Sequence, residues 1–412
     1  MKTRETKKQQ KTDVILSEAT DGINKVRLMG TARAEEGEEE CPWEEIDAYS
    51  GRFVVAGFRY ENDDASENFH PWIAYSTDGG ETWTRSETTS EEDRPHGPLY
   101  ALASGGGRFV VAGYRYDYGD PSEYNHPWIA YSTDGGKTWM PSTTTSEESQ
   151  PHGELFALTY GGGRFVVAGY KHDYDDTSEN LHPWIAYSTD GGETWTPSTT
   201  TSDESQPHGR LRALTYGGGR FVVAGYRFGA GTSDDPSNNY HPWIAYSTDG
   251  GETWTRSETT SEEDQPHGQL RALTYGGGRF VVAGFRYEDD NNSENFHPWI
   301  AYSTDGGETW EKNETTSEES QPRGQLYALT YGGGRFVVAG YRYGSSSDDD
   351  ASENYHPWIA YSTDGGKTWT KNETTSVDEQ PHGELHALTY APDSYCWKFG
   401  QEEEAKEEES TV

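Results

Sequence analysis

Short apolar runs alternate along this chain with polar, glycine-rich punctuation, and no stretch sustains the 3.6-residue period of an amphipathic helix. The recurrent segments are typified by "LRALTY" (211–216), "RFVVAGYR" (220–227), "PWIAYST" (242–248) and "TWTRS" (253–257). They are short, rich in β-branched and aromatic side chains, and bounded by Gly, Pro, Asp and Ser, which predicts four strands per recurring unit. The second strand carries Phe221, Val222, Val223 and Ala224 in succession. A strand apolar toward both faces is expected where neighbouring sheets cover it on either side.

Aligning on "GRFVVAG" places copies at Gly51, Gly107, Gly163, Gly219, Gly278 and Gly334, a spacing of 56 residues with one step of 59. Four-stranded sheets that bury their faces only against copies of themselves predict a ring, a β-propeller. The segment "LHALTYAPDSYCWKFG" (Leu385 to Gly400) offers the first two strands of one more unit. "ILSEATDGINKV" (Ile15 to Val26) aligns with "WIAYSTDGGETW", setting Asp21-Gly22 on Asp78-Gly79, and offers the last two. The expectation is an all-β, seven-bladed propeller of four-stranded antiparallel blades over residues 13–400. A composite blade of 13–30 and 383–400 would close it and remove two exposed sheet edges. Residues 1–12 and 401–412 are a basic and an acidic tail outside the ring.

The junction between third and fourth strands reads "YSTDGGETW" or nearly so from Tyr75, Tyr131, Tyr187, Tyr246, Tyr302 and Tyr361. The pattern Ser-x-Asp-x-Gly-x-Thr-Trp (Ser76, Asp78, Gly80, Thr82, Trp83) resembles the Asp-box of sialidase-type (BNR) propellers. The resemblance implies a hairpin whose Asp accepts backbone hydrogen bonds, whose Gly takes positive φ and whose Trp packs between blades. On that reading Asp78, Asp134, Asp190, Asp249, Asp305 and Asp364 are structural, neither catalytic nor calcium ligands. The repeated unit is also distantly similar to photosystem II assembly-factor propellers, which implies ligand or protein binding.

Composition narrows the function. Apolar residues make up only 31% of the chain, but 14 Trp, 28 Tyr and 13 Phe supply large buried areas, so a core is affordable. A net charge of -38 excludes phosphate-backbone binding as a main role and with it nucleic acid as partner. No apolar run reaches membrane-spanning length, and the opening "MKTRETKKQQ" is not followed by an apolar export segment. A cytoplasmic monomer without a membrane partner is expected. The two cysteines, Cys41 and Cys396, exclude a disulfide framework and a cysteine zinc site, and no cofactor is expected.

Candidate chemistry lies at the end of the sheets opposite the Asp-boxes, where the longer, acidic loops fall. Arg59, Arg115, Arg227, Arg286 and Arg342 end second strands, near Trp72, Trp128, Trp243, Trp299 and Trp358 of "HPW" and near His96, His152, His208, His267 and His382 of "PHG". An Arg beside aromatic rings can stack on and hydrogen-bond a sugar or a carboxylate-bearing ligand, or it can neutralise its own acidic loops. Histidines at equivalent positions of successive units are spread around a ring, so no metal site is expected from them. The reading is non-catalytic, multivalent recognition of a glycan or protein ligand. The alternatives are a sialidase-like glycoside hydrolase and an assembly scaffold. The resemblance to sialidases implies one asymmetric site of three Arg, a Tyr-Glu pair and an Asp, but no "FRIP"-like motif is present and the noted arginines recur unit by unit. Departures from the repeat, at Arg323, Lys171-His172 and Trp43, are either a distinct site or neutral drift.

Overall fold

The structure, a computed structural model, describes residues 13–15, 29–31, 52–60, 69–88, 97–115, 125–144, 152–172, 181–199, 208–228, 240–257, 268–287, 296–313, 323–343, 355–372 and 383–390. These form six sheets and no helix. Unit 4 shows the pattern: Gly209–Gly217, Arg220–Phe228, Tyr240–Ser247 and Thr255–Arg256 pair antiparallel in that order. Units 5 and 6 repeat it over Gly268–Lys312 and Gly324–Lys371, and units 2 and 3 over Leu99–Pro141 and His152–Pro197. In unit 1, Phe53–Tyr60, Phe69–Ser76 and Thr84–Arg85 are the second to fourth strands, and Asp13–Ile15 pairs parallel with Phe53–Tyr60 through Ile15 and Val54. The all-β propeller architecture is therefore present in the pairing itself.

The two-residue hairpin that joins first to second strand explains the triple glycine. Gly218 and Gly219 both take positive φ, 55° and 78°, which glycine alone adopts without a Cβ penalty. Gly217 is held for a different reason: a Cβ there would lie 2.0 Å from Cγ of Tyr275, whose ring covers the hairpin from unit 5. Tyr216 covers Gly161 of unit 3 in the same way. Tyr390 covers Gly332 of unit 6, so the segment 383–390 sits where the first strand of a seventh unit belongs. Of the other parts of the expected closing blade, Asp13–Ile15 and Met29–Thr31 pair with each other and extend the sheet of unit 1 beside Phe53–Tyr60, where the expectation had them in a seventh blade, and 16–28 and 391–400 lie outside the described residues.

The core is a series of layers between adjacent sheets. Phe221, Val222, Val223 and Ala224 are at most 1% exposed, as a strand covered on both faces requires. One layer joins Val166, Ala168 and Ile185 of unit 3 to Leu211, Phe221, Val223 and Trp254 of unit 4. Each of the Val, Ile, Leu and Phe side chains contributes roughly 1.5–3 kcal/mol by leaving water. Polar contacts fasten the outer rim. Glu87–Thr88, leaving unit 1, pairs parallel with the fourth strand of unit 2, and Thr143–Thr144 does the same with unit 3. Ser142 and Ser198 donate their hydroxyls to the carbonyls of Gly192 and Gly251 in the next unit.

Candidate functional site

The Asp-box is built from its own nine residues. In unit 3, Ser188 Oγ donates to Asp190 Oδ1 at 2.7 Å, and the backbone N–H of Thr194 donates to the same oxygen at 3.0 Å. Thr194 Oγ1 donates to Asp190 Oδ2 at 2.5 Å, and Gly192 N–H donates to Ser188 Oγ at 2.8 Å. The Trp195 indole N–H donates back to Gly192 at 3.2 Å while its rings, 1% exposed, fill the seam with unit 2. The other boxes repeat this geometry. Burial acts to raise the pKa of Asp364, but donation from the Thr368 hydroxyl and N–H and from Ser362 outweighs it and holds the carboxyl down at about 2. Asp78, whose largest influence is the Ser76 hydroxyl, is held lower still. The oxygens of these carboxylates accept from the hairpin's own hydroxyls and N–H groups, an arrangement that makes a turn.

The opposite end of the sheets carries the repeated Arg, Trp and His. Register places Arg59, Arg115, Arg227, Arg286 and Arg342 directly across from His70, His126, His241, His297 and His356. Two residues further in, glycine stands across from Trp72, Trp128, Trp243, Trp299 and Trp358. The Arg, Trp and His of a unit therefore share one face at one end of the sheet. Arg227, Arg286 and Arg342 are each only 8% exposed, whereas Arg59 and Arg115 are half-buried. Trp243 and Trp299 are buried, and the indole N–H groups of Trp243, Trp299 and Trp358 meet no acceptor among the described residues. His152 and His208 join adjacent units: their rings lie 4.6 Å from His126 and 4.5 Å from His182. His96, His267 and His382 lie outside the described residues, as does Trp43. Lys171 takes the arginine's place across from His182, and Arg323 is exposed.

A second set, which the sequence reading passed over, lies on the innermost strands. The first strand of each of units 2 to 6 shifts register by one residue, between Leu99 and Ala101, Leu155 and Ala157, Leu211 and Ala213, Leu270 and Ala272, and Leu326 and Ala328. The extra residue of each β-bulge is re-aimed out of the ladder. Those residues are Tyr100, Phe156, Arg212, Arg271 and Tyr327, with His386 at the matching place in the next segment. The first strands of successive units pack against one another, so these residues follow one another around the inner side of the ring. Tyr100 and Phe156 rings are 5.3 Å apart, the Arg212 guanidinium lies 4.1 Å over Phe156, Arg271 lies 5.8 Å over Tyr327, and Tyr327 stacks on His386 at 4.5 Å. Flanking units are otherwise nearly identical here, reading "L-x-AL" in each. The signal available in the sequence was variation on either side of the constant Leu, at this position and at the one before that Leu, inside an otherwise nearly constant strand.

Two residues upstream, Glu154 accepts from Asn125 Nδ2 at 2.7 Å, and Arg210 lies 4.5 Å over the Tyr170 ring. Burial, together with the neighbouring Glu154 charge and its hydrogen bond, pushes the Tyr170 phenol far up, against the opposing pull of Arg210. Tyr170 thus stays a hydrogen-bond donor throughout the ordinary pH range.

Residues 165–340 match the BNR repeat-like domain, and residues 74–85, 130–140 and 360–371 match the BNR/Asp-box repeat. A sialidase of Paraclostridium sordellii is 23% identical over 52% of this chain and 56% of its own length. A sialidase of Micromonospora viridifaciens is 26% identical over 59% of this chain and 38% of its own. The chain thus spans about half or less of the length of these curated relatives. Among solved structures, YCF48 bound to D1 peptide is 17% identical with a TM-score of 0.41, covering 79% of this chain and 85% of that one. Trypanosoma rangeli sialidase in complex with sialic acid is 13% identical with a TM-score of 0.41, covering 87% and 58%.

Proposed function

We propose that this chain, which is a BNR/Asp-box repeat propeller of the sialidase type, is a ligand-binding ring that recognises a carbohydrate or protein partner at its loop-rich end. One observation carries the reading. Units that agree nearly residue for residue differ at the bulged position of the innermost strand, where Tyr, Phe, Arg, Arg, Tyr and His follow one another. A fold-building position in a duplicated unit has no reason to vary through side chains this different, and aromatic rings interleaved with arginines are the composition of recognition surfaces. The repeated Arg, Trp and His sets, largely buried, would support that end from below and present their edges to a partner.

Glycan and peptide arrays probed with the intact chain test this. Discrete hits that weaken at least roughly tenfold in Arg212→Ala and Tyr327→Ala are expected, since recognition is concentrated in a few such anchors. Hits indifferent to both changes would place recognition elsewhere.

A second reading, a sialidase-like glycoside hydrolase, is favoured by Glu154 and Tyr170 lying together beside Arg210. Against it stands the chemistry of Tyr170, which is driven toward the protonated form instead of toward a nucleophile. Turnover of a fluorogenic sialoside, lost in Tyr170→Phe, would establish hydrolysis and displace the binding reading.

A further inference from the structure

Three aromatic rings meet at the loop-rich end of each of units 4, 5 and 6, and the strand pattern says why. Residues two apart on the second strand share a face, and the first residue of the third strand stands directly across from the later of them. In unit 6 these are Tyr341, Tyr343 and Tyr355. Tyr341 lies 5.5 Å from Tyr343 at 77° and 4.7 Å from Tyr355 at 84°, and Tyr343 lies 5.1 Å from Tyr355, so the rings form a corner. Tyr341, 3% exposed, is its buried wall, and Tyr343 and Tyr355 are half-buried. Arg342 falls between the two second-strand tyrosines and so on the other face of the strand. Units 4 and 5 build the same corner from Tyr226, Phe228 and Tyr240 and from Phe285, Tyr287 and Phe296.

What sets unit 6 apart is the segment that packs on it. The Gly383 N–H donates to the Tyr355 carbonyl at 2.8 Å, which brings Glu384 beside the corner. The Glu384 side chain is 24% exposed, and its Oε2 lies 2.8 Å from His386 Nε2. The equivalent residue is Gln269 after unit 4 and Gln325 after unit 5; after unit 3 it is Arg210, where His172 and Leu181 replace two of the rings. After unit 2 it is Glu154, which accepts from Asn125, the residue standing where Tyr355 does. A complete aromatic corner and a carboxylate therefore coincide once among the described residues.

We propose that Tyr341, Tyr343, Tyr355 and Glu384 bind a quaternary ammonium group, the trimethylammonium head of a ligand that engages the loop-rich end. The inference rests on the reading of that end as the recognition surface and names one chemistry it takes. Aromatic faces attract a cation through the ring quadrupole, and rings set nearly at right angles meet a rounded cation on more than one side. A primary ammonium or a guanidinium carries N–H donors that each need an acceptor once water is removed. The one carboxylate here is already engaged by His386, so the corner is better suited to a cation whose charge lies under methyl groups. The net charge of -38 favours the approach of any cation, and the corner supplies the selection.

Calorimetric titration of the intact chain near neutral pH tests the assignment with two cations, choline and a short neutral peptide carrying trimethyllysine. Dimethylbutanol, the tert-butyl analogue of choline without the charge, is the neutral arm. One saturable site per chain is expected, and the tighter of the two cations names the carrier. Tyr343→Leu, Tyr355→Leu and Glu384→Gln each weaken it roughly tenfold, whereas Tyr343→Phe and Tyr355→Phe keep the aromatic face and retain it. Phe296→Leu, at the matching place in unit 5, leaves it unchanged. Melting curves confirm that each variant is folded. No saturation by either cation at millimolar concentrations, dimethylbutanol binding as tightly as choline, or an affinity indifferent to both Tyr355→Leu and Glu384→Gln would overturn the proposal. Array binding that depends on Arg212 while neither cation binds would sink the ammonium site and leave the recognition surface standing.

Discussion

At the scale of single residues, the Asp-box carboxylates and the bulge residues do opposite kinds of work with similar amounts of polarity. Asp190 spends both oxygens on Thr194 and Ser188. Asp190→Ala is expected to cost about 1–3 kcal/mol in urea denaturation, the loss of hydrogen bonds to a charged group discounted for exposure, with ligand binding unchanged. The pH dependence has a definite sign. These carboxylates are depressed in the folded chain, so their stabilisation is complete above the ordinary value of 3.8 and lost as pH falls toward about 2, the value for Asp364. Stability carried by the boxes therefore falls between about pH 4 and pH 2, and that part of the fall is absent in Asp190→Ala for its own box. The Asp-box role was legible from sequence because one local hairpin contains all its partners. Arg212 and Arg271 were not, because what aims them inward is a register shift relative to a second strand, which no local pattern of residues announces; only their variation between copies marks them.

At the scale of the strand and hairpin, alternation and glycine punctuation identified four strands per unit, and the second strand's burial on both faces followed from its unbroken apolar run. What the pattern left out are the parallel additions at the rim, such as Glu87–Thr88 on the next unit, which are two residues long and polar. The glycine hairpin gives a test of how units are joined. Gly217→Ala drives a methyl into the Tyr275 ring and is expected to destabilise by about 1–3 kcal/mol. Gly219→Ala meets open space and pays only the backbone cost of φ +78°, about 1–2 kcal/mol. Truncating Tyr275 to Ala should relieve the first penalty and leave the second untouched, a coupling that a double-mutant cycle in urea reads directly. Equal coupling to both glycines would contradict the inter-unit packing described here.

At the scale of the whole molecule, the Asp-box Trp of units 2 to 6 fills the seam with the preceding unit. Trp139, Trp195, Trp254, Trp310 and Trp369 are all buried, whereas Trp83 of the first box is 42% exposed. Gly80 likewise has open space where Gly136 and Gly192 meet a valine of the preceding unit. The seat of Tyr390 on Gly332 supports a further blade begun by 383–390, and we propose that 13–30 completes it; Asp13–Ile15 itself pairs with the second strand of unit 1. Deleting residues 1–30 is then expected to lower the melting temperature and produce aggregates by light scattering, because strand edges are left unpaired. Deleting residues 1–11 should change neither. A monomeric, equally stable product of the longer deletion would contradict a shared blade. Repetition made the ring legible in the sequence, and the same repetition hid the site, since equivalent Arg, Trp and His in successive units drew attention away from the inner positions that differ.

The central claim is that recognition belongs to the inner, non-repeated residues of the loop-rich end. The most direct test is the stoichiometry of a monovalent array ligand titrated into the intact chain. The account predicts one site per chain, weakened by Arg212→Ala and unaffected in number by Arg286→Ala. Several equal sites per chain, one of which disappears with Arg286→Ala at unchanged affinity in the rest, would contradict it and return recognition to the blades.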